Sequence, residues 1–310
     1  MKICIGAYAA SPSANGFDIQ TESLYYEGLR SFNFLSGLEI PFLGTLHSEP
    51  NWFLDQLSSQ WDSVLTPIPG VMNTLAKDPH FGLASDDAGG RTRAVEFMNK
   101  LHESVVTINR HVGRQAIRAV EVHSAPTLGK DGVSSSIDSF AKSLTELRAW
   151  DWHGAQLVVE HCDAFRAGQV PAKGFLTLDA EMAAIAQSSG TTPLGVLVNW
   201  GRSAIETRSG EGPEEHLKQA ATKGLLKGLI FSGATVDSPL YGNWSDSHAP
   251  FKTLGSQLTS ARAEACVQIA DAAKLPVFGF KMQALPKSLT VSERLAFLEQ
   301  NAAQCLHLLK

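Results

Sequence analysis

The chain has 310 residues, 44% of them hydrophobic and 18% charged, enough apolar material to bury a large core. Its 26 Lys and Arg against 31 Asp and Glu leave a formal net charge of −5. With no basic run to track a phosphate backbone, nucleic acid is excluded as a partner. Cys4, Cys162, Cys266 and Cys305 form no CxxC pair, which argues against a disulfide framework or a structural zinc motif, and no apolar run approaches the ~20 residues needed to span a bilayer.

Eight short apolar runs alternate with helix-patterned stretches: KICIGAY from Lys2, GLEIPFLG from Gly37, SVLTPIPG from Ser63, IRAVEVHSAP from Ile117, AQLVVEHCDA from Ala155, LGVLVNWG from Leu194, LKGLIFSG from Leu226 and LPVFGFKM from Leu275. Eight β-then-α units in ~300 residues predict an α/β fold, a (β/α)8 barrel formed as one domain over 1–310, because no linker or composition shift divides the chain.

In chain order, the first strand is expected to end near Tyr8, followed by a helix from about Asp18 to Leu35. A second strand over 38–43 leads to a short helix near 52–57. A third strand over 64–68 opens a long connection and then a helix over 92–112. The fourth strand runs into SAPT, and SSSID at 134–138 offers N-caps for a helix ending near Trp150. The fifth ends at EHCD, with TLDAEM opening the next helix. The sixth ends at NWGRS, and Pro213 with Glu214 and Glu215 marks the helix start beyond it. The seventh ends at FSG and opens a polar loop over 234–252, rich in aromatics. The eighth ends at Lys281, and a helix over 291–309 closes the ring. The early start of the first strand leaves no room for a signal peptide, so the cytoplasm is the expected compartment.

Alternate residues of a barrel strand point inward, so the last inward residue beside each loop is the natural catalytic position. Glu121 and His123 share a face of the fourth strand. The fifth ends in Glu160, His161 and Asp163, the sixth in Asn199, with Trp200, Arg202 and Glu206 beyond, the seventh in Ser232 and the eighth in Lys281. The loop after the seventh strand adds Tyr241, Trp244, Asp246 and His248. Singly, each has a structural explanation: a hydrogen-bonded histidine, an ion pair, a helix cap for Asp163, loop packing for the aromatics. Glu121 faces either the interior or the helices. Jointly, so many polar groups at neighbouring strand ends define a site, because each costs desolvation that packing alone does not require.

The strand endings resemble those of the xylose isomerase-like barrels, the superfamily of sugar epimerases, inosose dehydratases and endonuclease IV. The segments that carry the resemblance are GLEIPF, EVHSAP, VVEHCD, VLVNWGRS and SDSHAPF, in the right order along the whole chain. An uncharacterised branch of that superfamily is the expected placement. The resemblance implies a divalent metal held by a strand-five Glu, a strand-six Asp, a strand-seven His and a strand-eight Glu. Here only Glu160 remains, with Asn199, Ser232 and Lys281 at the other positions and Arg202 where some members have a further His. A lysine there repels a cation as well as failing to bind it. No metal cofactor is therefore expected, the competing expectation being a residual zinc site of His123, Glu160, Asp246 and His248.

In place of the metal, Lys281 is expected to pair with Glu160 and, with Arg202, to supply the positive charge. Glu160, His161, His123 and His248 are the candidate proton carriers, and Asn199, Arg202, Trp200, Trp244, Asp246 and Ser232 the substrate-binding groups. The expected activity is on a sugar or sugar acid: isomerisation, epimerisation or dehydration by proton transfer next to a carbonyl. The alternatives are glycoside hydrolysis, using Glu160 with Glu121, Asp163 or Glu206, and sugar binding without catalysis. No glycine-rich nucleotide fingerprint calls for NAD, flavin or ATP. The expected partner is a small carbohydrate, and homo-oligomers, common among similar barrels, are the expected assembly.

Overall fold

The computed structural model describes residues 2–309. Eight parallel strands close into a barrel in the order β1 to β8: β1 (Ile3–Ile5), β2 (Leu35–Pro41), β3 (Ser63–Thr66), β4 (Ile117–Val122), β5 (Gln156–His161), β6 (Leu194–Asn199), β7 (Leu226–Phe231) and β8 (Val277–Phe280). Among the described residues, ten α-helices surround it: α1 (Ile19–Ser31), α2 (Pro50–Gln56), α3 (Ile68–Leu75), α4 (Ala88–Val112), α5 (Ile137–Arg148), α6 (Leu178–Gln187), α7 (Trp200–Thr207), α8 (Gly212–Thr222), α9 (Ser260–Ala270) and α10 (Val291–His307). None of the described helices is long and apolar enough to cross a membrane.

Period-two alternation sorts the strand residues into two cores. Cys4, Val64, Ala119, Val158, Leu197, Ile230 and Val277 form a separate buried cluster that fills the floor of the barrel. Their strand neighbours, such as Val159, Val198 and Phe231, join the larger cluster between barrel and helices. Above the apolar floor the inward positions turn polar, and that change of layer creates the site.

Several boundaries differ from those expected. β2 starts at Leu35, three residues before Leu38. β1 stops at Ile5, and residues 7–15 form two 3-10 turns instead. Two helices, α3 and α7, occupy stretches read as loop or strand end, and α9 lies in a stretch beyond the expected 234–252 loop to which no element was assigned. α3 begins with IPG, where Pro sits harmlessly in the first turn. α9 follows the long loop after β7, capped by Thr259. α7 starts immediately after β6, capped by the Asn199 side chain, with no intervening loop. The Ser136 and Thr177 side chains cap α5 and α6 as their sequences suggest.

Candidate active site

Glu160 is the hub of the polar layer. It is fully buried, and its Oε2 lies 2.8 Å from His123 Nε2 and 2.5 Å from Arg202 Nη1. The Asn199 amide donates to Glu160 Oε1 at 2.9 Å, and Lys281 Nζ stands 3.5 Å from the same oxygen. Burial by itself would raise the Glu160 pKa, but the Arg202 and Lys281 charges and the His123 hydrogen bond hold it well below the ordinary carboxylate value.

Lys281 donates to Glu39 Oε1 at 2.6 Å, its shortest contact, and its ammonium lies 5.9 Å from the Tyr8 ring centroid. Glu39 closes the layer on the β2 side. Burial pushes its pKa up, Lys281 pulls it down and Glu160 raises it again, leaving it above the usual value. Its Oε2 has no hydrogen-bond partner. Glu39 and Tyr8 together line a cavity of about 170 Å3 between β1, β2 and α1. Gly6 keeps the approach open, because a Cβ there would come within 2.8 Å of Glu39 Oε2 and of the Lys281 side chain.

The roof comes from two loops. After β5, Asp163 accepts backbone N–H bonds from residues 172, 173 and 174, folding the segment so that Lys173 reaches Asp246 at 2.8 Å. Asp163 is thus a loop organiser and not a helix cap. After β7, backbone pairing between Gly233 and Ala249 returns the chain over the barrel. Asp246 then accepts from Arg202 Nε at 3.2 Å, and His248 Nδ1 lies 3.0 Å from Ser232 Oγ and 3.3 Å from Asp246. Burial depresses the His248 pKa to about 3, reinforced by Lys281, Arg202 and Lys173 against the opposing effect of Asp246, so its imidazole is neutral. His123 is also lowered, chiefly by burial.

Glu160, Lys281, His123, Asn199, Arg202, Asp246, Ser232 and His248 therefore form one connected network. Glu121 also faces inward, beneath Glu160, with neither oxygen hydrogen-bonded, and burial with the Glu160 and Glu39 charges pushes its pKa well up.

Other expectations are corrected. His161 follows Glu160 directly, so it points to the opposite side of β5, toward the helices. There it is fully buried, 2.7 Å from Glu181 and 3.0 Å from Glu206, outside the interior network. Burial would lower its pKa, but those two carboxylates raise it to about 10. Glu206, also held by Arg166, is likewise turned away from Glu160. Trp200 is no sugar platform: as the first residue of α7 it swings into the helix-side core beside Cys266, with no exposed surface. Trp244 packs under Arg208, 5.8 Å from the guanidinium to the ring centroid, and Tyr241 is buried with its hydroxyl donating to the Gln283 carbonyl. Glu39 is the residue that sequence reasoning passed over. It lies in GLEIPF, two residues after the inward Gly37, and the same alternation that singled out Glu160 would have found it.

The donors fit a divalent ion poorly. Lys281 and Arg202 both contact Glu160, the remaining carboxylate of the expected set, and an ion there would face two fixed cations. The zinc set of His123, Glu160, Asp246 and His248 does not converge: Arg202 stands between the His123–Glu160 pair and the Asp246–His248 pair, bonded to both carboxylates.

The closed barrel is a (β/α)8 fold and is similar in fold to the xylose isomerase-like barrels. A crystal structure of a D-tagatose 3-epimerase-like protein is similar over 100% of both chains, with a TM-score of 0.61 at 15% identity. A xylose isomerase domain protein from Alicyclobacillus acidocaldarius subsp. acidocaldarius is similar over 99% of both chains, with a TM-score of 0.53 at 12% identity. At such identities the likeness is one of fold. The chain itself belongs to the DUF4862 family (domain of unknown function), whose profile matches residues 4–297. It is 35% identical, over 95% of its length and 93% of the relative's, to the uncharacterized protein STM3670 of Salmonella typhimurium strain LT2.

Proposed function

We propose that the protein is a carbohydrate-active enzyme that moves a proton next to a sugar carbonyl, as an isomerase, epimerase or lyase, with fixed side-chain cations in place of a divalent metal. One observation carries this reading: Glu39, a cavity-lining residue, holds Lys281 through Oε1 and leaves Oε2 without a hydrogen-bond partner. A raised carboxyl bordering a cavity suits a group that must take up and return a proton. Lys281 and Arg202, anchored on Glu160, supply the positive field that an enediolate requires, and the donors need no reorganisation because they are already paired and buried. The sugar-epimerising and xylose isomerase-type proteins among the similar folds support a carbohydrate substrate. Asp163 and Glu206 face away from this interior, so of the carboxylates offered as hydrolytic partners only Glu121, fully buried, remains beside Glu160.

The test is deuterium wash-in. Incubation in D2O with a panel of ketoses, aldoses and sugar acids is expected to replace a C–H next to the carbonyl in at least one of them, read by proton NMR. Lys281→Met is expected to lower that exchange at least ~100-fold, the scale of losing one charge-stabilising group, while circular dichroism shows a folded protein. No exchange across the panel, or full exchange in K281M, contradicts the reading.

A further inference from the structure

The wall of the Glu39 cavity opposite Lys281 is acidic and built. Glu22, 3% exposed, accepts at Oε1 from Ser11 Oγ at 2.6 Å, from the Ser13 backbone N–H at 2.7 Å and from the Ser13 hydroxyl. Three donors on one oxygen are the bonding pattern of a carboxylate, and no cation is among them. The second acidic group is Glu39, 2% exposed, with Oε2 unpartnered. No lysine or arginine lines the cavity. Lys281 is spent on Glu39 and Glu160, and Arg294, behind Ser11, directs its donors at the carbonyls of residues 10, 11, 287 and 289. The remaining wall is largely aromatic, with Tyr25, Tyr26 and Phe53.

Carboxylate oxygens accept from hydroxyl groups, and ring faces pack against sugar C–H bonds. A phosphate or carboxylate in the same place would meet the Glu22 carboxylate with no lysine or arginine on the wall to offset the repulsion. The volume of about 170 Å3 is close to the ~150 Å3 cavity known to hold one small ring. We propose that this cavity receives an uncharged, hydroxyl-rich end of the sugar and rejects phosphorylated and carboxylated sugars, with Glu22 as the discriminating residue. The proposal rests on the reading of the barrel as a sugar site, and it narrows the substrate class to neutral sugars.

Isothermal titration of the whole protein with neutral ketohexoses, their 6-phosphates and the matching sugar acids tests it. The best neutral sugar is expected to bind at least tenfold more tightly than its charged counterparts. Glu22→Gln, which keeps an acceptor for Ser11 and Ser13, is expected to narrow that gap about tenfold. Equal or tighter binding of a phosphorylated or acidic sugar overturns the proposal, as does binding of no neutral sugar, or an unchanged gap in E22Q. Because binding is measured at equilibrium, a neutral preference without deuterium exchange would sustain this inference while removing the catalytic one.

Discussion

His161 and Glu160 are adjacent in sequence and opposite in role. Glu160 anchors the interior cations, whereas His161 is a buried imidazolium bridging Glu181 on α6 and Glu206 on α7. Replacing His161 with Gln leaves Glu181 without a charged partner and Glu206 with Arg166 alone, and breaking a buried pair in this way costs about 3–5 kcal/mol. The sign of the pH dependence follows from the raised value. The imidazolium binds its proton more tightly folded, about 10, than unfolded, ~6.5, so its stabilisation is complete below ~6.5 and is lost as pH rises toward about 10. Urea unfolding of wild type and H161Q is therefore expected to give a large difference at pH 6 that shrinks by pH 9.5. A pH-independent difference would show that His161 acts by packing and not by charge.

At the scale of elements, the strands were legible and some of the helices were not. Valine-rich runs such as VLVN and VVEH carry their own signal, and so do the caps Ser136, Thr177 and Thr290. The α3 segment begins with a Pro-Gly pair that reads as a breaker, and α7 follows its strand without a loop, so periodicity had no boundary to mark. That missing boundary put Trp200 on the wrong side: a residue taken as part of a catalytic-face loop is the first of a helix and turns into the core. Thr290 forms a full capping box with Glu293 at the start of α10. Thr290→Ala is expected to cost ~1 kcal/mol, within a range of about 0.5–2, measured as a lower urea midpoint at unchanged slope, whatever happens to sugar binding.

For the whole molecule, the decisive event is closure of β1 on β8, through pairing of Cys4 with Gly279 and Ile5 with Phe280. Gly279 is required there, because a Cβ would fall 1.7 Å from the Cys4 carbonyl oxygen. Gly279→Ala is expected to prevent a closed barrel from forming, giving insoluble protein or a broad, non-cooperative thermal transition; a sharp wild-type transition would count against that packing. The same closure brings Lys281 against Glu39, 242 residues away in sequence.

Composition, the eight-fold alternation and the inward period of each strand are local properties, and by themselves they determined the barrel and that Glu160, Lys281, Asn199 and Arg202 gather at the C-terminal ends of its strands. Tertiary structure decided which of two adjacent residues enters the interior, how the two roof loops deliver Lys173, Asp246 and His248, and that Lys281 takes Glu39 as its closest partner. Those outcomes depend on strand ends, helix starts and ring closure, where contacts between residues hundreds of positions apart set the geometry and no short window of sequence carries the information.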